Sequence, residues 1–192
     1  MHKTVQNLIN IQNLIKSKLS DLKLIDRSPK IIAVSKTFKL EHINPLIDYG
    51  HIDFGENKVQ EAVEKWTDIK KDKSELKIHL VGRLQTNKVK NAIKVFDYIH
   101  SLDSKKLAVK ISEEQVKYKI KPKIFIQINI GDESQKGGIR VEELEEFYNY
   151  CIELNLEIVG TMCLPPISSD PEKYFSRMNY LNKKLNFKES SM

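Results

Sequence analysis

A chain of 192 residues with 40% hydrophobic and 30% charged residues has the balance of a soluble globular protein, long enough for one sizeable core. Its 32 basic and 26 acidic residues leave a net charge of +6, but only four of the basic residues are arginines. The lysines alternate with acids, as in Lys65–Lys77, so the excess reads as a solvated surface and not as a nucleic-acid footprint. No apolar run approaches the ~18 residues of a membrane span. The N-terminus lacks an apolar signal core, and the two cysteines, Cys151 and Cys163, exclude a disulfide scaffold, so a reducing cytoplasm is expected.

The spacing of Val5, Leu8, Ile9, Ile15, Leu19 and Leu22 predicts a leading helix. Ser28-Pro29 breaks it, and Ile31–Val34 is a short β-branched strand. A helix follows over 40–49, with Gly50 in the place of a helix C-terminal glycine. The alternation then repeats: strand 52–54, helix 56–68, strand 78–81, helix 87–96, strand 98–100, helix 104–115, strand 123–130, helix 141–155, strand 157–162. Asp170-Pro171 is an N-cap followed by proline at the first helical position, opening a last helix through Leu185.

Six strand–helix units with apolar strands imply a parallel sheet covered by helices in one domain, 1–192. Two closures compete, a doubly wound open sheet and a (β/α)₈ barrel. Ser35-Lys36-Thr37 follows the first strand where a dinucleotide fold would carry its glycine fingerprint, which weighs against the former. A barrel needs eight units, and this chain reaches Asn186–Met192 where a seventh strand would begin.

Polar residues recur at the strand ends, where parallel α/β folds bind ligands: Lys36, Glu56-Asn57, Arg83, His100 to Asp103, Asn129, and Glu133 to Gly138. Lys36 leaves a dry strand. Desolvation there would lower its pKa and free an amine for attack on a carbonyl, whereas the plain alternative is a strand-exit lysine that snorkels to water. His79 and His100 have no spaced metal partner and read as satisfied structural histidines. Glu56 and Asp103 read as helix N-terminal caps before acid–base groups. Lys136-Gly137-Gly138 is a loop able to lie over a ligand.

Three groups of residues together resemble one family: Ile32–Thr37 (IAVSKT), Phe54–Glu61 (FGENKVQE) and His79–Lys88 (HLVGRLQTNK). His100–Asp103, Gln127–Ile130, Glu133-Ser134-Gln135-Lys136-Gly137-Gly138 and Gly160–Pro165 extend the match in the same order. The sequence is similar to the pyridoxal phosphate homeostasis protein family over Lys30–Met192. The resemblance implies a TIM-type (β/α) barrel related to the alanine racemase N-terminal domain, with about six of its eight strands present. It implies pyridoxal 5'-phosphate (PLP) held as a Schiff base on Lys36, with Asn57, His79, Met162 and Ser191 around it. It implies a carrier of PLP and not an enzyme, without racemase activity, acting as a cytoplasmic monomer with PLP-dependent apoenzymes as recipients and neither nucleic acid nor membrane as partner. In the family the strands after Ser191-Met192 hold much of the cofactor phosphate, so a chain truncated there is expected to bind PLP weakly. An inactive remnant and an aldolase-type Schiff-base enzyme are the competing readings.

Overall fold

The computed structural model describes residues 1–192 except Ser134 and Ser168; Ser134, part of the Glu133–Gly138 stretch, thus lies outside the described residues. Helix α1 (Lys3–Asp21) is followed by β1 (Ala33–Val34), α2 (Leu40–Asp48), β2 (Asp53–Glu56), α3 (Val59–Trp66), a single turn α4 (Ile69–Asp72) and β3 (Lys77–Leu80). Then come α5 (Val89–Val95), β4 (Tyr98–Leu102), α6 (Lys105–Tyr118), β5 (Lys123–Ile128), α7 (Leu144–Glu153), β6 (Glu157–Cys163), α8 (Pro171–Lys184) and β7 (Glu189–Ser191). All strand pairs are parallel and the spatial order is the chain order, β1 to β7. A doubly wound sheet would reverse direction at a switch point, so the sequential order selects the curled, partial barrel. Among the described residues β1 and β7 are its two edges.

The predicted order of strands and helices holds, and the central strands turn alternate side chains to opposite faces. Ile78, Leu80, Ile99, Ile124, Ile126 and Ile128 face outward and form one continuous core with the helices, together with Trp66, Ala92, Ile93, Leu107, Ile111 and Met178. The intervening positions point into the curl: His79 on β3, Tyr98 and His100 on β4, Phe125 on β5 and Met162 on β6. A period of two, shifted at irregularities in β4 and β6, therefore separates a dry helix-facing surface from a mixed aromatic and polar concave one.

Local signals account for the helix ends. Gly50 adopts φ +94°, and its amide and that of His51 close the α2 terminus on the Ile47 and Leu46 carbonyls, 2.9 Å each. Asp170 accepts from the Glu172 amide at 3.0 Å, with Pro171 opening α8 as expected. Two predicted caps differ. The cap of α6 is the Ser104 hydroxyl, not Asp103, and Glu56 ends β2 instead of opening α3. The leading helix buries Val5 and Leu8, while Ile11, Leu14 and Leu22 stay exposed, because only its first turns lie against the core.

The structure adds a seventh strand to the six read from the sequence. β7 is short and polar, so no hydrophobic pattern announces it. It pairs through Gly160↔Glu189, Thr161↔Ser190 and Met162↔Ser191. Asn182, 4% exposed on α8, clamps it. The amide nitrogen donates to the Glu189 carbonyl (3.0 Å) and to Ser190 Oγ (2.7 Å), and the amide oxygen accepts from Thr161 Oγ1 (2.5 Å). A side chain on Gly160 would overlap the Glu189 carbonyl, so glycine is what lets β7 approach β6.

Candidate functional site

All seven strands or their ends deliver side chains to one cavity of about 710 Å³ inside the curl. Lys36 comes from the end of β1, Asn57 from the end of β2, His79 from β3, Met162 from β6, and Ser190-Ser191 from β7. All five residues singled out in the sequence, Lys36, Asn57, His79, Met162 and Ser191, line it. They are far apart in sequence, and the sequential parallel sheet is what brings them together.

Lys36 does not sit in the dry setting expected of it. It is exposed, because β1 is an edge strand whose pairing to β2 ends at Val34 and the Ser35 amide, one residue before it. The residue before it is fixed instead. Ser35, 4% exposed, donates to Glu56 Oε1 at 2.8 Å. That oxygen also accepts from Lys65 Nζ (2.8 Å) and Trp66 Nε1 (3.0 Å), and Lys65 continues to the Ser35 carbonyl (2.9 Å) and Glu61 Oε1 (3.0 Å). Glu61 in turn accepts the Thr37 amide at 2.5 Å. Lys36 is thus flanked on both sides by residues tied to β2 and α3, which holds its backbone while the side chain stays exposed. Asn57 is fixed differently: a side chain on Gly82 would strike the Asn57 backbone, so the glycine lets the ends of β2 and β3 close together.

The floor of the cavity holds a row of buried polar groups that one-by-one reading of the histidines did not reveal. Asp53 Oδ1 lies 3.0 Å from His79 Nε2, His79 Nδ1 lies 2.9 Å from His100 Nε2, and His100 Nδ1 lies 2.7 Å from Ser191 Oγ. His79 and His100 are each 1% exposed. His79 stacks on Tyr98 and His100 on Phe125, with ring centroids 4.3 and 4.4 Å apart. Both histidines are satisfied, as the sequence suggested, and both also line the cavity. The register supplies the signal: Gly55↔His79 and His79↔Tyr98 place inward positions of neighbouring strands side by side.

Electrostatics follow from this packing. Burial pushes the His100 pKa from 6.5 down to about 3, with His79 and Lys30 adding to the shift. Burial alone would raise the Asp53 pKa, but the hydrogen bond to His79 and the Lys30 charge 3.7 Å away bring it below the usual carboxylate value. Partial burial opposes the charge on Lys30, and Asp53 and Tyr98 outweigh it, so its pKa is raised.

At the opposite rim Lys136 is held, not loose. Its ammonium reaches Glu133 Oε2 (2.6 Å) and the carbonyls of Leu164 (3.2 Å) and Pro165 (3.1 Å), joining the loops after β5 and β6. Among the described residues no cluster of three or more His, Cys, Asp or Glu side chains is placed to hold a metal ion, and no helix is long and apolar enough to cross a membrane.

Residues 12–189 match the alanine racemase N-terminal domain. The pyridoxal phosphate homeostasis protein of Aquifex aeolicus is 38% identical over 160 residues, covering 81% of this chain and 69% of the relative. That of Pasteurella multocida is 36% identical over 184 residues, covering 94% and 79%. Among solved structures, PipY of Synechococcus elongatus without PLP superposes with a TM-score of 0.78 at 28% identity, covering 93% of this chain and 88% of that one. The same protein with PLP bound gives 0.73 over the same shares. Alanine racemase of Clostridium difficile shares the fold at a TM-score of 0.67 and 18% identity, with 96% of this chain and 48% of the racemase covered. The matched strand-end motifs, the sequential barrel topology and these identities agree: the chain belongs to the pyridoxal phosphate homeostasis protein family, built on the alanine racemase N-terminal fold.

Proposed function

We propose that the chain binds PLP in the strand-end cavity and serves its homeostasis. Lys36 holds the aldehyde covalently, Asn57, His79 and Met162 pack around the ring, and the Ser191 hydroxyl meets the phosphate. The observation that carries this is one cavity with an exposed amine on the β1 side and hydroxyls on the β7 side. That donor set fits the cofactor: an amine for an aldehyde, apolar Met162 and Phe125 for a flat ring, and hydroxyls for a phosphate. The PLP-bound PipY neighbour supports the same assignment. When bound, PLP supplies an aldehyde and an electron sink; the residues described here bind and orient it.

The same reading makes the protein a carrier without racemase activity, a cytoplasmic monomer that passes PLP to apoenzymes. The relatives' names support the carrier role. Buried, free Cys151 and Cys163 suit a reducing compartment. The test is a PLP titration followed by visible absorbance, borohydride reduction and peptide mapping. A band that is lost in Lys36→Ala, with the adduct on Lys36, supports the proposal. No band, or label scattered over surface lysines, overturns it in favour of a non-binding remnant. D-alanine formed from L-alanine by the loaded protein would overturn the carrier reading.

A further inference from the structure

The row Asp53–His79–His100–Ser191 joins two cavities. Ser191 opens into the strand-end cavity, and Asp53 lines a second one of about 530 Å³ beside α1, with His51, Lys16 and Arg27. With His100 neutral, as its burial requires, the hydrogen-bond chemistry of the row allows two complete arrangements. An ionised Asp53 accepts only, so His79 Nε2 carries hydrogen. If His79 is neutral, its Nδ1 accepts from His100 Nε2–H, and His100 Nδ1 then accepts the Ser191 hydroxyl hydrogen. If His79 is an imidazolium, Nδ1–H donates to His100 Nε2. His100 then carries its one hydrogen on Nδ1 and donates to Ser191 Oγ, and the hydroxyl hydrogen is free to point into the cavity. Each arrangement leaves every buried partner in the row satisfied. They differ by one proton and by what Ser191 offers a ligand, a lone pair in the first and a hydrogen in the second.

We propose that this row is a polarity switch for Ser191: an anionic phosphate oxygen in the cavity draws one proton onto His79, which turns the Ser191 hydroxyl hydrogen onto the anion. The proton comes from solvent in the strand-end cavity, relayed through the Ser191 hydroxyl to His100 Nδ1 and from His100 Nε2 to His79 Nδ1. N–H bonds form at His79 Nδ1 and His100 Nδ1, one breaks at His100 Nε2, and the difference is the proton taken up. The new cation faces the Asp53 carboxylate, so no buried charge is left unpaired. His100 stays neutral in both arrangements, which agrees with the strong depression of its pKa by burial. The charged and titratable groups around the row are few. Asp53 comes from β2 and His51 from the segment before it, with His51 Nε2 2.8 Å from the Asp53 carbonyl. Lys30 comes from the segment before β1, Tyr98 from β4, Lys123 over the Tyr98 ring from β5, and Glu189 from β7. His79 and His100 are thus positioning residues that act through Ser191.

The inference rests on the PLP reading and is tested separately from it. PLP is titrated into the full chain by calorimetry at one pH in two buffers of different ionisation enthalpy, which counts protons exchanged on binding. The wild type is compared with Ser191→Ala and His100→Asn; the asparagine amide can still reach Ser191 but cannot relay. The wild type is expected to take up about one proton more than either variant, which is up to tenfold in apparent affinity per pH unit. Pyridoxal, which lacks the phosphate, is expected to show no such difference. Equal proton counts with PLP overturn the switch and leave the binding site intact, whereas no absorbance band at all overturns both. Ser191→Ala alone decides the matter if His100→Asn does not fold.

Discussion

The buried carboxylate of Glu56 gives the sharpest stability prediction. Glu56 is 0% exposed, and one of its oxygens accepts from Ser35, Lys65 and the Trp66 indole within 3.0 Å. Lys65 is itself only 8% exposed in its side chain, so its charge depends on Glu56 and Glu61. Glu56→Ala strands a buried ammonium with one carboxylate in place of two. It also leaves the indole N–H, 0% exposed, without an acceptor. Removing one partner of a buried ion pair costs about 3–5 kcal/mol, and an orphaned buried donor about 1–3 kcal/mol. The two overlap at one oxygen, so about 4 kcal/mol is expected, a large share of the ~5–15 kcal/mol that holds a typical domain together.

Urea unfolding followed by tryptophan fluorescence measures this directly, because Trp66 is the chain's only tryptophan and sits in the cluster. Glu56→Gln keeps an acceptor for the indole and serine and is expected to lose less than Glu56→Ala. Lys105→Ala, which breaks an exposed pair with Glu146, is expected to leave the midpoint where it was. A loss below about 1 kcal/mol for Glu56→Ala would refute the argument. Because the same oxygen fixes Ser35, the variant is also expected to spread borohydride-trapped PLP away from Lys36.

Acid should destabilise the fold. With the His100 pKa pushed from 6.5 to about 3, the unfolded chain binds a proton in that window that the folded chain refuses. The contribution is complete above pH 6.5 and falls as the pH drops toward 3, by about 2 kcal/mol at pH 5. Urea midpoints across this range are expected to slope less in His100→Gln. Gly160→Ala forces the Glu189 carbonyl aside and should unpair β7, so amide exchange at 189–191 is expected to rise to that of open chain while β3–β5 stay protected. Burial pushes the Cys151 and Cys163 thiols up to about 12 and about 11. Both are therefore expected to resist a thiol-specific disulfide reagent at pH 8 until urea unfolds the chain.

Which of these features could be read from the sequence depends on the range of the interaction behind each. The strand at 123–130, the glycine after α2 and the Asp170-Pro171 start are set by neighbours along the chain, and the structure has them close to where they were read. β7 depends on Asn182 and Gly160, neither of which resembles a strand signal. Glu56 resembled a cap because a helix follows closely. Its partners Lys65 and Trp66 lie nine and ten residues on, a spacing with meaning only once α3 has folded back along β2. Lys36 was placed correctly at a strand end, but its expected desolvation needed to know that β1 is an edge strand.

The two faces of the sheet explain why fold and site are separable. Outward positions are mostly apolar and buried against helices, with Glu56 and Thr161 as buried polar exceptions, so most changes there act on stability through packing. Inward positions line the cavity and lie outside the main helix-facing core, and the sheet needs from them chiefly that they fit the curl. That freedom lets His79, Tyr98, His100 and Phe125 form a stacked, hydrogen-bonded row without weakening the outer core. The row climbs from Asp53 at the first position of β2 to Ser191 at the last position of β7. It therefore crosses the curl from one end of the strands to the other, as tilted strands require of residues that touch in sequence order. A parallel sheet wound in a single direction places such a row beneath its ligand-binding end, and here the hydroxyl that ends the row is one of the groups proposed to meet the phosphate.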